Sequence, residues 1–234
     1  MTKLDRLRES PERAAILLDI DGTLAPIVER PEDAGVPEAT RQVLRGLVAR
    51  YGLVAAVTGR EGSVGLGLVG VEGITVVGNH GLELEASAEE WRTRLREFSG
   101  SVDWPVEDKG LSLSFHYRTA EDPALARAEL EQVAERARQQ GLNARFGRMI
   151  LEVVPPIDAN KGTAVRELLA SAGLTRALFA GDDTTDLDAF AAVEELEVGV
   201  KVAVASAEGP EALRERADIV VAGTDGLVDL LRQL

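Results

Sequence analysis

Apolar residues along this chain gather in short unbroken runs, separated by longer stretches with helical spacing. Ala14–Ile20 (AAILLDI), Leu53–Val57, Ile74–Val77, Leu178–Ala180, Val198–Val204 and Ile219–Val221 are runs of strand length. Pro37–Tyr51 carries Val43, Leu44, Leu47 and Val48 at the spacing of one helix face. Strands that are apolar throughout rather than alternately are buried on both faces, which predicts an α/β fold with a parallel sheet covered by helices. Such a sheet offers its ligand site at the carboxyl ends of the strands.

The middle of the chain has a different texture. Leu111–Tyr117 (LSLSFHY) alternates apolar and polar residues, the pattern of an antiparallel strand with one wet face. A polar helix is expected from about Asp122 to Gln140, then two short strands, Leu142–Phe146 and Met149–Val154, around Gly147; Pro155-Pro156 closes the block. The expected organisation is a discontinuous core, residues 1–85 and 157–234, with a small α+β insert at 86–156. No internal repeat or low-complexity tract interrupts it.

The residues that follow the apolar runs carry the chemistry. Asp19-Ile20-Asp21-Gly22-Thr23 closes the first run, and two-residue spacing sends Asp19 and Asp21 to the same side. Two carboxylates that close call for a bound cation or a raised pKa on one of them. A calcium loop of the EF-hand type, counted from Asp19, would need Gly and Glu where Leu24 and Arg30 stand. Gly181-Asp182-Asp183-Thr184-Thr185-Asp186 follows another apolar run, and its three carboxylates make a hard-oxygen set suited to Mg²⁺. Helix capping, the alternative, needs only one such residue.

Two shorter motifs are ambiguous alone. Thr58-Gly59-Arg60 ends a strand, where a hydroxyl can hold a phosphoryl oxygen or merely make a turn. Asn160-Lys161-Gly162-Thr163 precedes a helical pattern, and Lys161 there either neutralises a phosphate or is simply solvated. Gly65–Gly70 (GLGLVG) matches the dinucleotide-binding glycine pattern. It is rejected, because no strand runs into it and a strand-like stretch rather than a helix follows.

Composition narrows the ligand. With 26 basic and 40 acidic residues, the net charge of −14 argues against nucleic acid and anionic membrane surfaces. An anionic ligand would depend on a few placed cations. Only four lysines occur (Lys3, Lys109, Lys161 and Lys201) against 22 arginines, which marks each as a candidate for a compact point charge. The absence of Cys excludes disulfides, thiolate metal sites and a Cys nucleophile. The polar start MTKLDRLRESPER has no apolar signal region, and no apolar run approaches ~18 residues, so a soluble cytoplasmic protein is expected.

In order along the chain, DIDGT, TGR, a Lys before a helix and GDDTTD resemble the motifs of the haloacid dehalogenase (HAD) superfamily of phosphatases, with the insert where that superfamily carries its larger cap. DGTLAPI (Asp21–Ile27), GNHGLE (Gly78–Glu83), KGLSLSFHYR (Lys109–Arg118) and GDDTTD are similar, more narrowly, to the trehalose-6-phosphate phosphatase family. The resemblance implies a Rossmann-like HAD core with an inserted α+β cap, hydrolysing trehalose 6-phosphate to trehalose and phosphate through an aspartyl-phosphate. It makes Asp19 the nucleophile and Asp21 the general acid, then base. Thr58 and Lys161 would hold phosphoryl oxygens. Mg²⁺ would rest on Asp19, the backbone carbonyl of Asp21, and Asp182, with Asp183 and Asp186 supporting the metal or its waters. Arg60 is counted on the substrate side, and Lys109, His116, Arg118 and Glu152 would grip the sugar. His80 has two readings, stabilising the GNHG turn or facing substrate.

The implied partner is a small-molecule sugar phosphate, with no nucleic acid and no membrane. A monomer is expected, and the family setting admits joint action with a trehalose-6-phosphate synthase. Capped phosphatases of sucrose 6-phosphate or of a glycosyl-phosphoglycerate share the core motifs and stay open as alternatives. A phospho-accepting receiver module is disfavoured by Asp21 and by the insert. The chain departs from the family pattern at Val154, where Arg is frequent, and at Leu187, where an acidic residue is frequent. The Gly-rich stretch after TGR predicts a short or irregular helix.

Overall fold

The computed structural model describes residues 2–28, 30, 33–147, 149–206 and 209–234. In chain order the elements are α1 (Lys3–Arg8), β1 (Ala15–Leu18), α2 (Glu38–Val48), β2 (Leu53–Val57), α3 (Gly62–Val69), β3 (Thr75–Val77), α4 (Arg92–Gly100), β4 (Glu107–Asp108), β5 (Leu113–His116) and α5 (Pro123–Gln139). There follow β6 (Asn143–Gly147), β7 (Ile150–Val154), α6 (Lys161–Ala172), β8 (Arg176–Gly181), α7 (Asp186–Glu194), β9 (Val198–Ala205), α8 (Glu211–Arg216), β10 (Ile219–Ala222) and α9 (Gly223–Leu231). They fall into two compact units, Met1–Leu84 with Ala159–Leu234, and Glu85–Asp158.

The first unit holds a six-stranded parallel sheet in the order β10-β9-β8-β1-β2-β3. Its central strands β8, β1 and β2 are apolar and buried along nearly their whole length because both faces are covered. Ile16 and Leu18 of β1 pack with Leu7, Leu44, Leu47, Leu227 and Leu231 of α1, α2 and α9. Ala15 and Leu17 point the other way, toward Val165, Leu169, Phe190 and Leu213 of α6, α7 and α8. Burying each such Leu or Val contributes roughly 1.5–3 kcal/mol, so β1 is fixed from both sides. Its end cannot wander. Among the described residues no helix is long and apolar enough to cross a membrane.

The second unit is a four-stranded antiparallel sheet, β4-β5-β7-β6. Leu113, Phe115, Leu151 and Val153 form its apolar face, covered by Leu95 and Phe98 of α4 and by Leu130 and Ala134 of α5. Asp122 caps α5, its carboxylate accepting from the Ala124 and Leu125 amides at 2.9 and 3.0 Å. The opposite face carries one register row, Glu107, Ser114, Glu152 and Arg145.

One expectation needs correcting. LSLSFHY does not present one wet face throughout: Ser112 and Ser114 are buried and His116 alone of the three polar positions is exposed. Ser114 stands in register between two longer side chains, Glu107 and Glu152. The Gly-rich stretch after TGR is, as expected, a short helix, α3, closed by Gly70 in the left-handed conformation at φ 59°.

Candidate active site

Three neighbouring strands of the parallel sheet end together. Asp19 follows β1 and still donates its amide to Ala180 of β8 at 2.9 Å, while Asp182 follows β8 and Thr58 follows β2. After Asp19 the chain turns back sharply, with the Ile20 carbonyl accepting from the Leu24 and Ala25 amides at 2.8 Å each. Gly22 makes that turn at φ 80°, and a Cβ there would run into the Asp182 carboxylate. DGT is therefore a packing requirement as well as a turn. Its Thr23 is also placed to donate to Asp182 Oδ1, at 3.4 Å.

Lys161 is the first residue of α6. Asn160 caps that helix through the Gly162 and Thr163 amides, at 2.9 and 3.0 Å, and the Thr163 hydroxyl accepts from the Asn160 amide in return. This reciprocal cap fixes the direction in which Lys161 leaves the helix. Its Nζ donates to Asp19 Oδ1 at 2.7 Å and to Asp186 Oδ1 at 2.6 Å. Asp186 Oδ2 in turn accepts from the Asp182 and Asp183 amides, both at 2.9 Å. The loop ahead of α7 is thus tied to Lys161 through a single carboxylate.

The cluster is shielded from water: Asp19 is 4 % exposed, Lys161 3 %, Asp182 7 % and Asp186 0 %. Burial pushes the Asp19 carboxyl up to about 7, with Lys161 pulling against it and Asp186 adding to it. Burial, then the charges of Asp19 and Asp186, pushes Asp182 up to about 8. For Lys161, burial opposes the charge, but Asp186 and Asp19 outweigh it and hold the amine above the ordinary lysine range. Oxygens of Asp19, Asp182 and Asp186 lie within 4.8 Å of one another. Three buried carboxylates against one lysine, with no nitrogen or sulfur donor, fit a hard divalent cation.

Other expected residues lie beside this cluster. Thr58 is buried, its hydroxyl accepting from the Arg60 amide at 3.2 Å, which leaves the hydroxyl proton to donate elsewhere. Asp21 is not among the clustered carboxylates: Arg60 grips it with two bonds of 2.7 Å, from Nε to Oδ2 and from Nη2 to Oδ1. Asp183, expected to support a metal, turns its carboxylate back onto the Thr184 amide and hydroxyl, at 2.7 and 3.2 Å. A short local partner outcompetes the cluster for it.

His80 lies against the TGR loop. Its amide donates to the Thr58 carbonyl at 2.9 Å, and its ring occupies the place a Cβ on Gly59 would take. His80 holds a left-handed φ of 54°, next to Asn79 at 50°. Sequence reasoning gave no role to Glu83, yet Glu83 binds these loops together. Its carboxylate accepts from the Gly62 amide at 2.8 Å, the Gly78 amide at 3.1 Å and the Asn79 side chain at 3.0 Å. The available signal was its place in GNHGLE, an acid five residues after a glycine that ends a strand.

The four sugar-side candidates all belong to the antiparallel unit. His116 Nε2 and Lys109 Nζ converge on Glu107 Oε2, at 2.9 and 3.7 Å. Glu152 pairs with Arg145 at 2.9 Å. Arg118 is exposed beyond the end of β5. Glu107 and Arg145 were not expected. Cross-strand register, which sequence alone does not supply, brings them in.

A parallel sheet that ends in a buried carboxylate–lysine–carboxylate cluster, in a chain that also carries an inserted unit built on an antiparallel sheet, defines the HAD-like fold. The chain belongs to the trehalose-phosphatase family, whose model matches residues 17–104 and 95–218. The trehalose-phosphate phosphatase of Mycobacterium marinum is 34% identical over 77% of this chain and 52% of that protein. Probable trehalose-phosphate phosphatase G of Arabidopsis thaliana is 29% identical over 83% of this chain and 62% of that one. An uncharacterized glycosyl hydrolase of Mycobacterium tuberculosis is 34% identical over 81% of this chain, which spans only 16% of its length. The chain therefore spans one sixth to three fifths of the length of these curated relatives. Among solved structures, the C-terminal domain of C. albicans trehalose-6-phosphate phosphatase has a TM-score of 0.73, at 22% identity over 99% of this chain and 95% of that one.

Proposed function

We propose that this chain is a Mg²⁺-dependent phosphatase that hydrolyses trehalose 6-phosphate through an aspartyl-phosphate on Asp19. The observation that carries the reading is Lys161 bridging Asp19 and Asp186 beside Asp182, in a member of the trehalose-phosphatase family. Asp19 Oδ attacks phosphorus while Thr58 and Lys161 hold the phosphoryl oxygens. Asp21 protonates the departing sugar oxygen, then takes a proton from the water that hydrolyses the acyl phosphate. Asp19, Asp182 and Asp186 would hold a Mg²⁺, which when bound would supply charge neutralisation for the phosphoryl group. Lys161 favours the ionised form of Asp19 against burial and aims its carboxylate, and burial makes each of these charges count for more than it would in water.

The sugar is read by the polar face of the antiparallel sheet, through Lys109, His116, Arg118 and Glu152. Phosphate release should be measured from trehalose 6-phosphate, sucrose 6-phosphate, a glycosyl-phosphoglycerate and a small aryl phosphate. Trehalose 6-phosphate is expected to give the highest kcat/KM. Glu152→Ala should lower that value roughly ten- to a thousandfold, with little change on the aryl phosphate. Parallel losses on both substrates would mean that Glu152 only holds the sheet together.

A further inference from the structure

Both oxygens of Asp21 are occupied. Arg60 takes one with Nε and the other with Nη2, at 2.7 Å each, in the planar fork that guanidinium and carboxylate form best. Each oxygen keeps a second lone pair, but the fork fixes the direction in which it points, so a carboxylate held in this way is not free to swing toward a leaving group. The backbones on either side are pinned. The Arg60 amide donates to the Thr58 hydroxyl at 3.2 Å, and its carbonyl accepts from the Asn79 amide at 2.7 Å. The Asp21 turn is closed by Gly22 donating to the Ala25 carbonyl at 2.8 Å. Only the side chains are left to move. Asp21 is the more accessible of the two, 40 % exposed against 16 % for Arg60.

We infer that Arg60 is a latch on Asp21 that a phosphate monoester releases by taking the carboxylate's place on the guanidinium. This rests on the reading of Asp21 as the proton carrier. A phosphoryl group offers the same paired oxygens as a carboxylate, so the exchange trades one forked partner for another and leaves no cation unpaired. Arg60 lies in the Thr58 loop, so the group that Thr58 would hold is the group that competes for it. Released, Asp21 is free to turn toward the ester oxygen. The proton it carries in the proposed mechanism passes to that oxygen as the Asp19 Oδ–phosphorus bond forms and the phosphorus–oxygen bond breaks, its electron pair staying with the sugar oxygen. The second half returns the proton from the attacking water to Asp21. Proton transfer is thereby coupled to arrival of the phosphoryl group, and a site without substrate keeps its acid parked.

The direct test uses the unaltered protein crystallised with Mg²⁺ and orthovanadate. Arg60 is expected on vanadate oxygens, more than about 4 Å from Asp21, beyond hydrogen-bonding range. An intact Arg60–Asp21 fork beside bound vanadate overturns the latch. In kinetics, Arg60→Gln should raise KM about tenfold or more on both trehalose 6-phosphate and p-nitrophenyl phosphate. The ratio of kcat/KM between the two substrates should stay within about threefold of its original value, and Arg60→Lys should recover part of the KM. If Arg60→Gln instead lowers the ratio as far as Asp21→Asn does, Arg60 positions Asp21 for catalysis and is no latch. If Asp21→Asn harms both substrates equally, the proton-carrier reading fails first, whatever Arg60 does.

Discussion

Lys161 in the parallel-sheet unit and Arg145 in the antiparallel unit each bind carboxylate at close range, but they do so in different solvents. Lys161 sits between Asp19 and Asp186 with all three out of water, whereas Arg145 meets Glu152 with its own side chain 46 % exposed. Water screens the second pair and leaves it worth little. Taking the first group out of water costs several kcal/mol per ion, and Lys161 offsets part of that cost, pulling the Asp19 carboxyl down against the rise that burial imposes. Cation–carboxylate pairing thus has a different character in the two units: charge is held out of water in one and screened by it in the other.

The largest effect should come from breaking the buried side of this comparison. Lys161→Met leaves Asp19 and Asp186 facing each other without a cation. We expect activity to be lost and stability at pH 7.5 without Mg²⁺ to fall by about 3–5 kcal/mol in urea unfolding. Lowering the pH to 5 should restore part of that stability, by protonating one carboxylate. A loss below about 1 kcal/mol would show that the cluster is solvated.

A smaller effect follows from acidity alone. Burial raises Asp19 to about 7 and Asp182 to about 8, so between about pH 4 and pH 8 the metal-free folded chain holds protons that the unfolded chain has lost. Stability must then fall as pH rises through that window. Lys161, held above its ordinary range, does not titrate there. Melting temperature in chelator should decline from pH 5 to pH 8, and the gain on adding Mg²⁺ should be larger at pH 8. A flat profile in chelator would show that both carboxylates remain ionised without a metal. The smallest effect belongs to the exposed pair: Arg145→Ala should cost less than about 1 kcal/mol, and less again in high salt.

The parallel strands were legible because strands buried on both faces are apolar throughout, and the motifs were legible because they sit where those strands stop. Asp19, Lys161, Asp182 and Asp186 come together as their places at strand and helix ends suggest. Asp183 could not be told from its neighbours, since only the turn that follows decides which carboxylate folds back on Thr184. Helix α4, RTRLREFSG, was missed because Leu95 and Phe98 are its only buried residues, too few to give a helical period. Arg60 on Asp21 and Glu83 on Gly62 and Gly78 join segments distant in the chain, and nothing local records such pairings.

The place of β1 in the sheet also bears on biosynthesis. β1 pairs with β2 soon after it in the chain, Ala15 lying opposite Leu53, but its other edge waits for β8, where Ala15 meets Ala177. During synthesis Asp19 and its DGT turn are made early, whereas Lys161 and the GDDTTD loop leave the ribosome only after the whole antiparallel unit. Closing so long a loop is slow, and until it closes β1 presents an unpaired apolar edge. The nascent chain therefore carries Asp19 with neither Lys161 nor the neighbouring carboxylates around it. The buried cluster is assembled in one late step, when β8 docks.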